Sequence, residues 1–317
     1  NFRSPFAKPS KLANPHHPIL LSLLLLLLLS TLAELHKPSI ISFCHKAFWR
    51  QWLGFSFYFC KVRMAISYIN FLKRAKSRYR IHSPFVYRLT EDVFRGKVFY
   101  RKADILKLRK MLGADKSLVD IEDLGAGSRV SAGSKRRVCD ILRISASPMR
   151  DAGILQRLAV YMDAKNILEL GTNLGVGTAA LAAVPGVERV YSIEGDPTLA
   201  AMAVKNLEFA GLKAHIIAGS FEEKLDLTLE KMERVDLVYI DGNHRKDPTL
   251  EYVGKIIPFV HNDSVIAIGD IRWSEEMEEA WEEIKSMPKV RTTVELFNTG
   301  FVFFKSELAN EHFTIKI

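Results

Sequence analysis

The amino-acid sequence predicts an α/β fold in which a mostly parallel sheet is covered by helices on both faces and preceded by an N-terminal helical extension. From Asn166 onward, short apolar runs alternate with amphipathic segments of helical length. Such runs are typical of parallel strands buried on both faces. The closing sequence VRTTVELF-NTG-FVFF has turn residues and no room for a helix. It therefore predicts a final antiparallel hairpin.

The positive charge of the chain is concentrated in its first 63 residues. The whole chain carries a formal charge of +9, and residues 1–63 contain eight Lys or Arg against one acid, Glu34. They account for +7, which leaves +2 for residues 64–317. Because the body is nearly neutral, its composition gives no reason to expect a nucleic-acid partner.

Residues 1–63 are predicted to lie outside the fold. They begin with Asn, contain the apolar run Ile19–Ala33 and hold two of the three cysteines. That run is shorter than the roughly 20 residues of a bilayer span but long enough for a signal-peptide core. Either it is an export signal or membrane anchor, or the region is translated ahead of a start at Met64, the interpretation that we favour. The single cysteine of the body, Cys139, indicates a reducing, cytoplasmic location.

Residues 64–152 are predicted to form a helical and loop region, followed by the sheet domain at 153–317. Apolar positions and the basic cluster KRAKSRYR indicate one or two short helices from Met64 to Leu89. Pro84 then biases the preceding serine away from helix. Such a basic cluster is usually a solvated helix face, and contact with an anionic substrate or nucleic acid is the alternative.

Two further helices are predicted at Leu106–Ala114 and Gly153–Met162. The polar loop between them, DLGAGSRVSAGSKRR, contains Gly125 and Gly127. A nucleotide-binding turn would follow an apolar strand, whereas the preceding LVDIED is interrupted by acids. We therefore expect a mobile loop here, with contact to a substrate as the alternative.

The first strand of the sheet ends in ELGTNLGVGT and opens into an apolar helix. Ligands of open α/β sheets bind beyond the carboxyl ends of the strands. Gly171 and Gly175 permit a tight turn, and the helix N-terminus offers free N–H groups. The G-x-x-x-G-x-G spacing differs from the G-x-G-x-x-G of dinucleotide-binding folds, which disfavours an NAD-dependent oxidoreductase. A purely structural turn is the alternative.

The second strand ends at Glu194, followed by Gly195. Glu194 lies 23 residues after Gly171, where an acid can accept hydrogen bonds from ribose hydroxyls. Its neighbour Asp196 is expected to cap the next helix, because Pro197 occupies the first turn.

The remaining strand ends also carry polar or aromatic side chains. The third ends in Ser220 and Phe221, which can flank an adenine ring. The fourth ends at Asp241, with His244 three residues later, and the fifth ends at Asp270. All five ends are predicted to face one crevice.

The order of these motifs resembles that of class I S-adenosylmethionine-dependent methyltransferases. More narrowly, IHSPFVY, DLGAGS, LELGTNLGVGT, IEGDP, IDGNHR, GDIRWSEEMEEAW and TGFVFF resemble a group of bacterial O-methyltransferase-like proteins. The resemblance covers roughly Met64 to Phe304. It implies a Rossmann-like sheet of seven strands with an antiparallel last strand, S-adenosylmethionine as cofactor, and methyl transfer (EC 2.1.1.-) to an oxygen of a small molecule.

The resemblance also implies a cofactor site at four strand ends. Its members are Glu169, Gly171, Thr172, Asn173, Gly175, Glu194, Gly195, Ser220, Phe221 and Asp241. Within this set the glycine loop would wrap the methionine portion, Glu194 would hold the ribose, and Asp241 would lie beside the methyl donor.

Catalysis is predicted to involve Asp241, His244 and Asp270. Much of a methyl displacement depends on holding nucleophile and methyl carbon in line. His244 is the candidate base that deprotonates the acceptor, with Asp241 as its orienter. The alternative is that His244 only caps the next turn.

A metal site is the second possibility. The similar catechol-type O-methyltransferases bind a divalent cation through an acid at the fourth strand end and an Asp-Asn pair at the fifth. Those positions match Asp241, Gly269 and Asp270, so one side-chain ligand is missing. Two carboxylates with waters could still hold Mg²⁺, but the missing ligand favours His244 acting as base.

Two alternatives of other classes remain open at this point: a non-catalytic cofactor-binding or membrane-tethered interaction protein, and an NAD-dependent oxidoreductase. Trp273 and Trp281 lie eight residues apart on one predicted helix whose cap is Ser274. That spacing is more often core than a platform for substrate. The methyl acceptor and the oligomeric state are not predicted.

Overall fold

The computed structural model describes residues 63–121 and 135–317, and Met64–Ile317 forms one compact unit. The expectations about the Ile19–Ala33 run and about the loop at Gly125 and Gly127 concern residues outside these ranges. None of the helices in the described ranges has both the length and the apolar composition that crossing a membrane requires.

The helices and strands follow one another as short segments. The helices are α1 (residues 63–74), α2 (Pro84–Arg88), α3 (Lys102–Ala114), α4 (Val138–Ser145), α5 (Met149–Tyr161), α6 (Val176–Ala182), α7 (Pro197–Ala210), α8 (Phe221–Met232), α9 (Lys246–Ile256) and α10 (Glu275–Lys285). The strands are β1 (Leu118–Asp120), β2 (Lys135–Arg137), β3 (Asn166–Leu170), β4 (Arg189–Glu194), β5 (His215–Ala218), β6 (Val235–Ile240), β7 (Val260–Ile268), β8 (Thr292–Glu295), β9 (Gly300–Phe303) and β10 (Glu311–Thr314).

The main sheet has the order β10-β8-β9-β7-β6-β3-β4-β5. All neighbouring strands run parallel except β9, which is antiparallel to both β7 and β8. The predicted Rossmann-like architecture with an antiparallel closing strand is therefore confirmed. An eighth strand, β10, pairs in parallel with β8 at the edge and was not predicted.

The sheet is buried on both faces, as the apolar runs predicted. Every residue of β3 and β6 is buried. Ile167 and Leu168, adjacent in β3, belong to different core clusters because successive side chains of a strand point to opposite faces. Residues of α5 pack on the Ile167 face, and residues of α8, α9 and α10 pack on the Leu168 face.

The N-terminal region contains the predicted helices, with corrected boundaries. The helix predicted at Leu106–Ala114 begins four residues earlier as α3, and the helix predicted at Gly153–Met162 begins four residues earlier as α5. Ser83 is extended, with φ −77° and ψ 119°, and accepts a hydrogen bond from the Val86 amide as the N-cap of α2. Ser83 is therefore outside the helical conformation, as the following Pro84 predicted.

Two short features were missed in this region. Helix α4 was not predicted, and LVDIED was wrongly taken to lack a strand. Leu118–Asp120 pairs with Lys135–Arg137 in a two-stranded antiparallel sheet that is separate from the main sheet. The acids of LVDIED are compatible with this strand because it is largely exposed.

Candidate active site

The strand ends meet where the strand order reverses, between β3 and β6. The amide of Asp241 donates to the carbonyl of Leu170 at 2.8 Å, and the amide of Gly269 donates to that of Ile240 at 2.8 Å. On the β4 side of β3, the amide of Gly171 donates to the carbonyl of Ile193 at 3.0 Å. The loops after β4, β3, β6 and β7 therefore begin side by side at one edge of the sheet.

Both glycines of the first loop are required by its backbone. Gly171 has a φ of +107°, and a Cβ there would lie 2.4 Å from the carbonyl oxygen of Asp241. Gly175 has a φ of +75°, and a Cβ there would lie 3.0 Å from the Cβ of Ala203 in α7. Only glycine adopts these conformations without strain and permits this close packing. The loop thus turns tightly over the end of β3 and opens into α6.

Glu194 joins this loop to the end of β4. Its carboxylate accepts hydrogen bonds from the backbone amides of Asn173, at 2.6 Å, and Asp196, at 3.0 Å. Burial raises the pKa of Glu194, and these amides partly offset that effect. Asp196 accepts from the Leu199 amide at 2.7 Å as the N-cap of α7, which confirms its predicted capping role.

Glu169 lies beneath the loop and is only 1% exposed. Its carboxylate accepts hydrogen bonds from the hydroxyls of Ser192, at 2.6 Å, and Thr178. Burial raises the pKa of Glu169 to about 7, while those hydroxyls act in the opposite direction. A Cβ at Gly177 would lie 2.9 Å from the Glu169 carboxylate. The acid is therefore packed tightly under the first turn of α6.

Ser220 and Phe221 occupy the start of α8. The Ser220 hydroxyl accepts the Glu223 amide at 3.3 Å, so it serves as the N-cap. The ring of Phe221 meets that of Tyr252 edge to face at 5.4 Å. A Cβ at Gly242 would lie 2.9 Å from the Phe221 ring, which places this aromatic against the loop that follows β6.

The predicted catalytic residues come together. Asp241, His244 and Asp270 each offer one ligand atom, and these atoms lie within 4.8 Å of one another. The Nε2 of His244 lies 3.8 Å from a carboxylate oxygen of Asp270. The Ser147 hydroxyl donates to Asp241 at 3.3 Å. The structure thus pairs His244 with Asp270, whereas Asp241 was the expected orienter.

The backbone at this cluster is in an unusual conformation. His244 has a φ of 25° and Asp270 a φ of 50°, and Asn243 between the strand and His244 has a φ of 65°. Non-glycine residues rarely adopt positive φ, and such residues cluster at functional sites. Helix α9 has Arg245 as its N-cap, so His244 is not its capping residue.

A side chain at the position of the missing metal ligand would require the Asp241 carboxylate to move. A Cβ at Gly269 would lie 2.7 Å from a carboxylate oxygen of Asp241. The third potential ligand instead comes from the preceding loop, as the imidazole of His244. The chemistry of this set suits either proton transfer by the imidazole or coordination of a divalent cation.

The two tryptophans have different surroundings. Trp281 is buried and donates its indole N–H to Glu295 at 2.7 Å. Trp273 is half-buried, and its ring lies 5.6 Å from that of His244. Ser274 accepts the Met277 amide as the N-cap of α10, as predicted. Only Trp273 therefore borders the candidate site.

Sequence reasoning missed Ser147 and Tyr239 near Asp241. Burial, together with the nearby Asp241 carboxylate, raises the pKa of Tyr239 well above its usual value. Ser147 lies 94 residues before Asp241 in the chain, between α4 and α5. No motif in ISASPM identifies this serine, because its role depends on how α5 packs against the sheet.

Comparisons with known proteins agree with this geometry. Residues 168–271 match a family model described as a methyltransferase domain. A catechol O-methyltransferase from Niastella koreensis is 38% identical over 114 residues, which are 34% of this chain and 50% of that protein. A transmembrane O-methyltransferase from Homo sapiens is 37% identical over 93 residues, 27% of this chain and 32% of that protein. The chain thus spans half or less of the length of these curated relatives.

The fold is also similar to that of a solved methyltransferase from Podospora anserina, which was crystallised with S-adenosylhomocysteine. The similarity covers 71% of this chain and 97% of that one, with a TM-score of 0.50 and 14% identity. At this identity the likeness concerns the fold. The methyltransferase-domain model that matches residues 168–271 agrees with the resemblance to class I methyltransferases that the sequence motifs indicated.

Proposed function

We propose that this chain is an S-adenosylmethionine-dependent methyltransferase that methylates an oxygen of a small molecule. The observation that carries the proposal is the convergence of strand ends at the switch point between β3 and β6. Ligands of open α/β sheets bind in the crevice at such a point. The motif resemblance and the O-methyltransferases among the similar proteins support this reaction class.

The residues at the crevice fit a nucleoside that carries an amino acid. The loop Gly171–Gly175 and the start of α6 offer amides for a carboxylate. Glu194 offers acceptor oxygens for ribose hydroxyls, and Phe221 offers an apolar ring edge. Nearby, the buried Oδ1 of Asn243 has no hydrogen-bond partner. When bound, S-adenosylmethionine would supply a methyl group already activated by its sulfonium.

The work left to the protein is to orient the acceptor and remove its proton. The imidazole of His244 would accept that proton, and the Asp270 carboxylate 3.8 Å away would stabilise the imidazolium. Trp273, beside His244, would border the acceptor. Asp241 would stay on the cofactor side, where Ser147 holds its carboxylate.

A divalent cation remains the alternative role for the same cluster. Asp241, His244 and Asp270 would hold it with waters completing the shell, since Mg²⁺ usually keeps several. The cation would polarise the acceptor oxygen in place of the base.

The reaction is tested by methyl incorporation from labelled S-adenosylmethionine into a panel of hydroxylated small molecules. Methyl incorporation that is lost in the His244→Ala variant would support the proposal that the chain is an enzyme. If both Asp241→Ala and His244→Ala leave incorporation unchanged, these residues are not the catalytic ones, whereas cofactor binding without any incorporation would favour a non-catalytic cofactor-binding protein. Binding of a nicotinamide cofactor in place of S-adenosylmethionine would indicate an oxidoreductase. A cytoplasmic location stays a prediction from cysteine usage.

A further inference from the structure

The body of the protein has a strongly uneven charge distribution. Residues 64–90 contain six Lys or Arg and no acid, so they carry +6. Because residues 64–317 carry +2 in total, residues 91–317 carry 2 − 6 = −4. The first segment of the compact unit is therefore cationic, and the remainder is net acidic.

Helix α1 in this segment exposes an apolar strip. Ile66 is 54% exposed, Ile69 53% and Leu72 39%. Their spacing of three residues places them along one side of the helix. Phe71, only 3% exposed, lies on the other side, where its ring meets that of Phe297 at 5.5 Å. The helix is thus anchored through one side and presents a second apolar side outward.

Cationic side chains continue directly from this strip. Lys73, Arg74, Lys76 and Arg80 are all exposed. Lys76 forms a β-bridge with Ile315, and its ammonium lies 5.5 Å from the ring of Phe313. The cationic run is therefore held against the edge of the sheet next to β10.

We infer that residues 64–80 bind the surface of a membrane that contains anionic lipids. An interfacial helix needs apolar side chains that enter the headgroup region and basic side chains that contact lipid phosphates. This segment supplies both on adjacent positions. A nucleic acid would satisfy the basic side chains but would leave Ile66, Ile69 and Leu72 in water. The inference goes beyond methyl transfer and does not depend on it.

The surface is connected to the candidate active site. The Ser67 hydroxyl donates to Glu278 in α10 at 3.2 Å. The guanidinium of Arg272 lies 5.4 Å from the ring of Phe71 and 5.6 Å from that of Phe297. Arg272 follows Asp270 by two residues, so binding at α1 would hold the segment that carries Asp270 close to the lipid.

The test is sedimentation of the full chain with vesicles of phosphatidylcholine alone or mixed with phosphatidylserine. Two variants remove the two parts of the surface: Lys73→Glu/Arg74→Glu/Lys76→Glu and Ile66→Ser/Ile69→Ser. The matched control, Lys110→Glu/Lys116→Glu/Lys213→Glu, makes the same charge change at exposed positions elsewhere. All variants keep residues 1–63, so any binding by that region is common to them.

Each basic side chain at an anionic surface contributes about fivefold in partitioning. We expect the Lys73/Arg74/Lys76 variant to bind phosphatidylserine vesicles at least about tenfold more weakly than the wild type. The Ile66/Ile69 serine variant should also bind these vesicles more weakly, and the binding of the control should stay within about twofold of the wild type. Circular dichroism checks that each variant is folded. Wild-type binding by either surface variant, or equal loss in the control, would overturn the inference. So would tighter binding of the wild type to an RNA oligonucleotide than to the vesicles.

Discussion

The main-chain nitrogen of Asn173, which follows β3, lies 2.6 Å from a carboxylate oxygen of Glu194, the last residue of β4. This contact ties the glycine loop after β3 to the end of β4. We predict that Glu194→Ala weakens S-adenosylhomocysteine binding by at least about tenfold, because hydrogen bonds to charged groups contribute about 1.5–3 kcal/mol each. Isothermal titration calorimetry measures the change.

The matched control for that variant is Glu188→Ala. Glu188 is exposed and lies just before β4, at the opposite end of the strand. Its removal should leave the affinity within about twofold, as is usual for exposed positions away from a site. Wild-type affinity in Glu194→Ala would show that the ribose assignment is wrong.

The second prediction concerns His244 as the base. His244→Ala should lower the methylation rate by about 10²- to 10⁴-fold, the usual contribution of general base catalysis. Cofactor affinity should change little, because the imidazole faces Asp270 and Trp273. Initial rates with saturating cofactor measure the effect, and His215→Ala, an exposed histidine on β5, is the control. An unchanged rate in His244→Ala would exclude this role.

The third prediction separates the base from a metal ligand. We expect activity to persist in a chelator, because Gly269 stands where the similar cation-binding enzymes have a side-chain ligand and itself offers none. The assay compares rates before and after chelation and after addition of Mg²⁺. Activity that chelation abolishes and Mg²⁺ restores would instead make His244 a cation ligand.

The fourth prediction follows from the buried acid Glu169, whose pKa is raised to about 7. A carboxyl whose pKa is higher in the folded state than in the unfolded state stabilises the fold at pH values below its unfolded-state pKa. This contribution is lost as the pH rises through the folded-state pKa. Between about pH 4.5 and 7, this effect lowers the free energy of unfolding by at most about 3 kcal/mol.

The measurement is the free energy of unfolding across that pH range in the wild type and in Glu169→Gln. The glutamine cannot ionise, so the variant should lose less stability than the wild type as pH rises. Glu188→Gln, at an exposed position, should follow the wild type. Parallel curves for Glu169→Gln and wild type would show that Glu169 titrates normally.

The fifth prediction concerns the buried pair Arg272 and Glu295, which lie 3.1 Å apart and are each 4% exposed. Glu295→Gln should destabilise the fold by about 3–5 kcal/mol, because it leaves a buried charge without its partner. Arg272→Met combined with Glu295→Met should recover part of that loss. Denaturant unfolding measures both. Glu282→Gln, which breaks an exposed pair with Lys285, should cost less than about 1 kcal/mol.

The sheet could be predicted because its strands are buried on both faces and therefore appear as continuous apolar runs. The edge strand β10 could not, because Glu311 and His312 are exposed and EHFT has no apolar run. Its position depends on pairing with β8 rather than on local composition. Helix α4 is only eight residues long, so its periodic pattern is too short to stand out.

The site could be predicted as a set of strand ends, since parallel strands bring their carboxyl ends to one edge. The pairing of His244 with Asp270 could not. It depends on positive φ values at His244 and Asp270 themselves, and no residue type there signals that conformation. Arg272 follows Asp270 by two residues, yet the structure buries it against Glu295, which its charge and position in the sequence did not indicate.

We propose that the crevice at the switch point between β3 and β6 binds S-adenosylmethionine. Calorimetric titration of the full chain with S-adenosylhomocysteine tests this claim most directly, because the product shares the adenosine and amino-acid groups of the cofactor. We expect saturable binding at one site per chain that Glu194→Ala weakens. Absence of binding at millimolar ligand, with the protein shown to be folded, would contradict it.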